Sequence, residues 1–255
     1  MGQRFINLQN FVKTIDGSNT LYSKKYNQHY HNIDDGAINE SLNKHVIPCL
    51  DFHKNSKELN ILDICFGIGY NTLSTVYYVL KENLDIKLNI YSPELDGELI
   101  DSLKDFDYPK EFKEIEKLTN IIKELSTKKY YEDERFKISL YVGDARKYIK
   151  SFEKDFFNVV YQDAFSSEVN MELWTKEYFD DVYKASNENV VMTSYSVATP
   201  VRLSMYEAGF EIYEHRPVKR KITLAFKQKQ EQIGKYIDME LKQQRNKEAK
   251  AIYDL

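Results

Sequence analysis

The stretch "ILDICFGIGYN", residues Ile61–Asn71, decides the fold of this chain. A short apolar run ends in a turn that carries Gly67 and Gly69, and apolar residues then recur at i, i+3, i+4 and i+7 from Leu73 to Leu80. The run is typical of a buried strand, and the spacing after it is typical of one face of a helix. The stretch therefore predicts a strand, a glycine turn and a helix.

Strand and helix patterns continue to alternate beyond this turn. Strands are indicated by "IKLNIYS", "RFKISLYV", "FFNVVYQ" and "NVVMTSYS", and helices by the spacing over 115–125 and by "MELWTKEYFDDVYKA". Such alternation predicts an α/β fold with a doubly wound, mostly parallel sheet and right-handed crossovers. The last two strand patterns, "FEIYEH" and "KITLAF", lie close together and predict an antiparallel hairpin at the sheet edge.

The composition excludes several classes of protein. The 255 residues contain no apolar stretch near the ~20 residues that span a bilayer. Cys49 and Cys65 are the two cysteines, and neither has zinc-ligand spacing, which favours a reducing cytoplasm and no metal. The formal net charge of -4 gives no general attraction to nucleic acid, so an RNA partner would require a local basic patch.

Acidic residues follow the predicted parallel strands. Glu94 and Asp96 follow the second strand, Asp144 the third and Asp163 the fourth, and Asp63 lies within the first. Ligands of open α/β sheets bind beyond the carboxyl ends of the strands. Carboxylates gathered there repel one another and lose hydration unless they bind something. A cationic ligand is therefore expected at this edge.

S-adenosylmethionine suits such an edge better than NAD does. It is positively charged at sulfur, and its ribose hydroxyls and adenine amine can donate to carboxylates after the second and third strands. A dinucleotide prefers the spacing G-x-G-x-x-G, and Thr72 stands where the third glycine is required. A glycine pair after a strand can also be a tight corner without a ligand.

Asp163 and Phe165 leave the fourth strand together. A carboxylate can hold an amine and accept its proton, and an aromatic ring can stack on a planar base. The pair therefore indicates an amine acceptor attached to a nucleobase. In the opposing interpretation, Asp163 caps a loop and Phe165 fills the core.

Several blocks of sequence together resemble the methyltransferase domain of the MnmC family. They span about residues 14–227 and are "DGSNTLYSKKYNQHYHNIDDGAINES", "ILDICFGIGYN", "YQDAFSSEVNMELWT", "VMTSYSVATPVRLSMYEAGF" and "VKRKITLAF". The resemblance implies a Rossmann-like class I methyltransferase that uses S-adenosylmethionine. It also implies N-methylation of the 5-aminomethyl group of the tRNA wobble uridine, in a stand-alone form without an oxidase domain.

The resemblance also implies roles for individual residues. The catalytic residues are Asp163 and Phe165. The cofactor-binding residues are Tyr22, Tyr30, Glu40, Asp63, Phe66, Gly67, Gly69, Asn71, Glu94, Asp144 and Ala145. Glu94 is preferred to Asp96 as the acid for the ribose. Tyr22 and Tyr30 could instead be packing residues of an N-terminal hairpin.

Cys65 replaces the glycine that the family usually has in this turn, so its backbone must avoid positive φ or accept strain.

The expected substrate partner is the anticodon stem-loop of tRNA, and the upstream enzymes that form aminomethyl-uridine are further candidate partners. Its phosphates would meet a set of basic residues, namely Lys24, Lys25, Arg202, Lys219, Arg220 and Lys221. Each of these could equally be an ordinary surface cation.

Three regions are expected along the chain: an N-terminal hairpin and helix extension over 1–58, the methyltransferase domain over 59–227, and a charged helix over 228–255. Two other functions remain open, a polyamine aminopropyltransferase and a non-catalytic RNA-binding module.

Overall fold

The computed structural model describes residues 11–231 and 233–255, so the first ten residues of the expected N-terminal extension lie outside it. The described strands are β1 (Phe11–Lys13), β2 (Asn19–Ser23), β3 (Gln28–His29), β4 (Glu58–Ile64), β5 (Lys87–Glu94), β6 (Tyr130–Glu132), β7 (Phe136–Val142), β8 (Phe157–Gln162), β9 (Ser186–Ser194), β10 (Glu211–His215), β11 (Ile222–Phe226) and β12 (Lys235–Tyr236).

The described α-helices are α1 (Ala37–Ser41), α2 (Ile47–Phe52), α3 (Tyr70–Lys81), α4 (Gly97–Ser102), α5 (Lys110–Lys113), α6 (Glu116–Lys128), α7 (Ala145–Ile149), α8 (Lys176–Ala185), α9 (Thr199–Glu207) and α10 (Met239–Arg245). A π-helical turn, Leu42–Val46, joins α1 to α2. In the parts of the chain that the structure describes, no helix combines the length and the apolar character that crossing a membrane requires.

The main sheet has the strand order β12-β10-β11-β9-β8-β4-β5-β7-β6. Its central strands β9, β8, β4, β5 and β7 are parallel, and the outer strands on both sides are antiparallel. The chain runs from β4 to β5 and β7 and then returns to β8 and β9 on the other side of β4. The strand order therefore reverses between β4 and β8, where ligands of such sheets bind.

This topology confirms the predicted doubly wound, mostly parallel α/β fold with an antiparallel C-terminal hairpin. The hairpin of β10 and β11 is not the outermost part of the sheet, because the two-residue strand β12 pairs with β10. The short antiparallel strand β6 at the opposite edge was not predicted from the sequence.

Strand β4 lies in the middle of the sheet and is covered by helices on both faces. Because successive side chains point to opposite faces, Leu59 and Ile61 pack in one apolar layer, and Leu62 and Ile64 pack in the other. A strand buried on both faces gives a continuous apolar run rather than an alternating pattern. This is why residues 61–66 form an almost uninterrupted apolar run.

The described part of the N-terminal extension forms a three-stranded antiparallel sheet of β1, β2 and β3, followed by α1, the π-turn and α2. It is attached to the main body by specific contacts. The Tyr70 hydroxyl donates to the carbonyl of Asn19 at 2.9 Å, and the ring of Phe11 packs edge-on against Phe106 at 5.1 Å. This attachment places β3 and α1 next to the end of β4.

The C-terminal segment differs from the single charged helix expected over 228–255. Helix α10 covers seven residues, Met239–Arg245, and the Met239 side chain is buried. The chain then runs back along the protein, where the Ile252 carbonyl accepts from the backbone N–H of Lys176 at 2.7 Å. The expected helix is therefore confined to α10, and Met239 and Ala251 are buried residues that attach the segment to the protein.

Candidate active site

A cleft of about 1130 Å³ opens at the carboxyl ends of the central strands, beneath the N-terminal sheet. It lies where the topology predicts a ligand site. Ten of the predicted catalytic and cofactor-binding residues line it, namely Tyr30, Glu40, Phe66, Gly67, Asn71, Glu94, Asp144, Ala145, Asp163 and Phe165. The structure therefore brings together acids that are far apart along the chain.

The turn after β4 contains three residues with left-handed backbone conformations. Cys65 has a φ of 66°, Gly67 of 55° and Gly69 of 80°. A Cβ atom on Gly69 would lie 2.7 Å from the Phe66 ring, and one on Gly67 would lie 3.0 Å from the Tyr30 ring. The glycines thus allow aromatic rings to approach the turn. Gly69 is covered by Phe66 and does not line the cleft.

Cys65 stands where the family usually has glycine, and it keeps the positive φ of 66° that suits glycine. The turn therefore keeps its conformation, and the backbone of Cys65 is strained. We expect Cys65→Gly to raise the free energy of unfolding by about 0.5–1 kcal/mol, because left-handed backbone costs an L-residue more than the added freedom of glycine costs the native state. Urea unfolding measures this change. Cys65→Ala is the matched control because it removes the sulfur but keeps Cβ; an equal gain from both variants would contradict the backbone explanation.

Glu94 ends β5 and connects two backbone segments of the cleft. Its carboxylate accepts from the N–H of Gly67 at 2.8 Å and from the N–H of Asp96 at 2.9 Å. Burial raises the pKa of this carboxyl. The Asp96 side chain instead caps α4 by accepting from Leu99 N–H at 3.0 Å. Glu94 is half-buried at the turn whereas Asp96 is exposed, which supports the preference for Glu94 as the acid that faces a ligand.

Asp144 lies at the cleft but also has a structural role. Its carboxylate caps α7 by accepting from the backbone N–H of Arg146 at 2.8 Å. The residue is exposed, whereas Ala145 after it is buried. A ligand at this end of the cleft would meet a carboxylate whose position is already fixed by a helix N-terminus.

Asp163 and Phe165 follow β8, and both line the cleft, in contrast to the alternative of a loop cap and a core ring. Asn71 donates to Asp163 Oδ2 through Nδ2 at 2.9 Å. The Trp174 indole N–H donates to the Phe165 carbonyl at 2.7 Å, and the Tyr195 hydroxyl donates to the Ala164 carbonyl at 2.9 Å. The loop that carries the acid and the ring is therefore held from several sides.

Three rings form what we call the aromatic wall of the cleft: Phe165, Tyr26 and Tyr30. Tyr26 stacks on Phe165 with centroids 4.6 Å apart, and Tyr30 meets Phe165 edge-on at 5.1 Å. Burial, reinforced by the charge of Glu94, raises the pKa of Tyr30, so its hydroxyl stays protonated. Tyr26 was not predicted from the sequence, because a tyrosine in a lysine-rich hairpin carries no distinguishing pattern.

Asp63 is not a cleft residue, which corrects its assignment as a cofactor contact. Its carboxylate is completely buried and accepts from the Thr72 hydroxyl at 2.7 Å. Burial raises the pKa of Asp63 to about 7. The Asn71 amide that binds Asp163 also lies 3.4 Å from Asp63 Oδ1, so Asp63 acts beneath the cleft by orienting Asn71.

Glu40 lines the cleft inside a compact charge network of the N-terminal extension. It accepts from Lys44 Nζ at 2.5 Å and from the N–H of Asn32 at 2.7 Å, and His31 Nδ1 lies 3.4 Å away. Burial opposes its ionisation, but hydrogen bonding to His31 and the charge of Lys44 outweigh burial and hold its pKa far below the ordinary value. Glu40 is thus ionised and fixed in position by Lys44, Asn32 and His31.

Tyr22 and Arg202, like Asp63 and Gly69, lie outside the cleft lining. Tyr22 is exposed, outside the cleft lining, and its hydroxyl donates to the Asn27 side chain. Arg202 is 2% exposed, donates to Thr223 Oγ1 at 2.8 Å and pairs with Glu214. The assignment of Tyr22 to the cofactor is corrected, because its side chain lies outside the cleft. The assignment of Arg202 to the tRNA is also corrected, because its guanidinium is enclosed by protein partners.

The remaining basic residues divide into two groups. Lys25, Arg220 and Lys221 line the cleft, whereas Lys24 and Lys219 are exposed outside its lining. Lys25 Nζ lies 4.7 Å from the Tyr26 ring centroid, and Arg220 Nε lies 3.0 Å from Asp35. These three residues, Lys25, Arg220 and Lys221, form a small cationic rim of the cleft.

The polar groups of the cleft fit a cationic ligand that carries hydroxyls and amines. Glu94 presents a carboxylate at the glycine turn, and Asp144 presents another at the next strand. Asn71 Oδ1 is buried and has no hydrogen-bond partner within the described residues, so it can accept from a ligand. The carboxylates of Glu94 and Asp144 suit a positively charged guest.

Comparisons with known proteins agree with this chemistry. Residues 109–228 match a family model described as S-adenosyl-L-methionine-dependent methyltransferase. The crystal structure of MnmC2 from Aquifex aeolicus superimposes with a TM-score of 0.78 and 32% identity, covering 92% of this chain and 74% of that one.

Two sequence relatives are also similar. An uncharacterised protein of Methanocaldococcus jannaschii is 33% identical over 221 residues, which is 85% of this chain and 59% of that protein. A tRNA 5-methylaminomethyl-2-thiouridine biosynthesis bifunctional protein, MnmC, of Paracidovorax citrulli is 29% identical over 82 residues, or 32% of this chain and 13% of that protein. The chain thus spans less than two thirds of either relative.

Proposed function

The chain belongs to the MnmC methyltransferase-domain family of S-adenosylmethionine-dependent methyltransferases, and we propose that it methylates the amine of 5-aminomethyluridine at the wobble position of tRNA. The product would be the 5-methylaminomethyl form, with or without 2-thiolation. The observation that carries the proposal is the position of Asp163, a carboxylate held in the cleft beside the aromatic wall.

The residues of the cleft suit the family's cofactor. S-adenosylmethionine supplies a methyl group on a positively charged sulfur. We assign Glu94 to the ribose hydroxyls, Asp144 and the backbone of Ala145 to the adenine side, and the unpartnered Asn71 Oδ1 to an N–H donor of the cofactor. Glu94 would keep the glycine turn in place through its bond to Gly67.

The acceptor must be a neutral amine, because a protonated amine has no electron pair for the methyl carbon. In the proposed reaction, Asp163 accepts an N–H of the substrate, orients the nitrogen and takes up the proton that the product nitrogen releases. The aromatic wall would pack against the uracil ring, since bases stack on aromatic side chains. In-line positioning of the two reactants provides much of the remaining rate enhancement.

We assign the cationic rim, which is Lys25, Arg220 and Lys221, to the phosphates of the anticodon stem-loop. Their small number and the net charge of -4 imply modest, salt-sensitive binding. The substrate amine would come from an upstream enzyme that installs an aminomethyl group on uridine.

Arg220→Ala is expected to weaken tRNA binding and to reduce the slope of log K against log salt concentration by about one, because one phosphate contact is lost. Filter binding or fluorescence anisotropy over a salt series measures both quantities. Lys123→Ala removes an exposed cation on α6, outside the cleft lining, and serves as the control. An Arg220→Ala slope equal to that of the parent would place the RNA path elsewhere.

The two other functions fit the cleft less well. A small polyamine would be bound by acids and would have no use for the basic residues Lys25, Arg220 and Lys221 at the edge of the cleft. A non-catalytic RNA-binding module would have no use for Asp163 oriented by Asn71. Calorimetry with S-adenosylmethionine separates such a module from the enzymes, because the module would give no heat of binding.

Nucleoside mass analysis of tRNA from cells that lack this protein tests the proposed function. We expect 5-aminomethyluridine to accumulate at the wobble position and the methylaminomethyl form to disappear, with both effects reversed by a plasmid copy of the gene. Unchanged amounts of both nucleosides in the deletion strain would refute the proposed substrate.

A further inference from the structure

His45 is a completely buried histidine next to the cleft that the proposed reaction leaves without a role. It lies on the π-helical turn Leu42–Val46. Such turns contain one more residue than an α-helical turn and are often found at functional sites. Here the turn buries Lys44 and His45, two consecutive polar residues. No sequence pattern indicates this arrangement, because "LNKHVIP" contains a histidine without any ligand or catalytic spacing.

The two ring nitrogens of His45 face different partners. Nδ1 lies 2.8 Å from the hydroxyl oxygen of Thr193 on β9. Nε2 lies 3.4 Å from Oδ1 of Asp163. Within the described residues Nε2 has no hydrogen-bond partner of good geometry. A buried nitrogen is therefore directed at the carboxylate that the proposed reaction uses.

The surroundings determine which nitrogen carries the proton in the neutral ring. With the proton on Nδ1, the lone pair of Nε2 would face the lone pairs of a carboxylate oxygen at a buried position, which is unfavourable. With the proton on Nε2, the ring donates towards Asp163, and Nδ1 accepts from the Thr193 hydroxyl. The Nε2–H tautomer therefore gives Nδ1 a hydrogen bond and points the other N–H towards the carboxylate.

We infer that His45 is a positioning residue that fixes the carboxylate of Asp163 for methyl transfer, an inference that rests on the proposed function. Asn71 holds Oδ2 at 2.9 Å, and the His45 N–H faces Oδ1. A carboxylate that is hydrogen-bonded at one oxygen and faced by an N–H at the other is restrained in its rotation, so its remaining lone pairs keep one direction. Small errors in the position of a catalytic group are costly in rate.

Two substitutions separate positioning from simple packing. The amide nitrogen of His45→Gln can reach the place of Nε2, whereas that of His45→Asn reaches only the place of Nδ1. In single-turnover methylation of aminomethyl-uridine tRNA, we expect His45→Asn to lower the rate about 10- to 100-fold, as misplacement of a catalytic group does. The KM for tRNA and the Kd for S-adenosylmethionine should stay within about three-fold, and His45→Gln should restore most of the rate.

A double-mutant cycle and a spectroscopic measurement complete the test. In an Asp163→Ala background, His45→Asn should cause no further loss of rate, because there is no carboxylate left to position. Separately, 15N shifts of histidine-labelled protein should report an Nε2–H tautomer for His45 and should change in Asp163→Ala. This second measurement does not depend on any substrate.

The outcomes are distinguishable. Parental rates in His45→Asn, a further loss in the double variant, or an Nδ1–H tautomer would each overturn the role of His45. A folded parent that binds S-adenosylmethionine but does not methylate this tRNA would refute the proposed function, and the 15N shifts would still decide whether His45 is coupled to Asp163.

Discussion

Asp163→Ala should lower the rate of methyl transfer to aminomethyl-uridine tRNA by about two orders of magnitude or more, which is the usual contribution of a positioned proton acceptor. Binding of S-adenosylmethionine should stay within a few-fold of the parent. The reason is that the Asp163 carboxylate is held by Asn71 beside the aromatic wall, whereas the acid assigned to the ribose is Glu94. Single-turnover kinetics and calorimetry measure the two effects separately.

Glu168→Ala provides the matched control for this substitution. It removes another acid from the same loop, but Glu168 is exposed and lies outside the cleft lining. Full activity in Glu168→Ala together with the loss in Asp163→Ala would assign the effect to one carboxylate. Equal activity of Asp163→Ala and the parent would remove Asp163 from the reaction.

Glu94→Ala should weaken S-adenosylmethionine binding about 10- to 100-fold, because hydrogen bonds to a charged group contribute about 1.5–3 kcal/mol each. The same substitution frees the N–H of Gly67, so the glycine turn also loses the acceptor that fixes it. Isothermal titration calorimetry gives the Kd directly. Among the residues assigned to the cofactor, we expect Glu94 to give the largest loss of affinity.

Asp96→Ala is the informative comparison, because Asp96 also lines the cleft but uses its carboxylate to cap α4. We expect it to cost about 1 kcal/mol of stability, as the loss of a helix cap does, with little change in the Kd. A larger loss of cofactor affinity in Asp96→Ala than in Glu94→Ala would reverse the assignment of the ribose acid.

Features of the fold that depend on local pattern could be predicted from the sequence. The apolar run of β4 and the spacing of Leu73 and Val76 in α3 specify their elements regardless of distant contacts. The acids at the ends of β5, β7 and β8 could be placed in one cleft because parallel strands of a doubly wound sheet share an edge. The family resemblance then gave these positions their proposed roles.

Features that depend on long-range contacts could not be predicted. Arg202 is basic in sequence, but its partners on β10 and β11 enclose it. The sequence groups Asp63 with the acids that follow the parallel strands, but the residue lies within β4 and not after it. Its side chain is therefore buried below the cleft. His45 reaches Asp163 from a distant part of the chain through a π-turn that has no sequence signature.

Methylation by the purified protein tests the central claim most directly. The protein would be incubated with S-adenosylmethionine carrying an isotopically labelled methyl group and with tRNA that contains 5-aminomethyluridine at the wobble position. After digestion, we expect the label in 5-methylaminomethyluridine and loss of that product in Asp163→Ala. Label in any other nucleoside, or no transfer by a parent protein that binds the cofactor, would contradict the account.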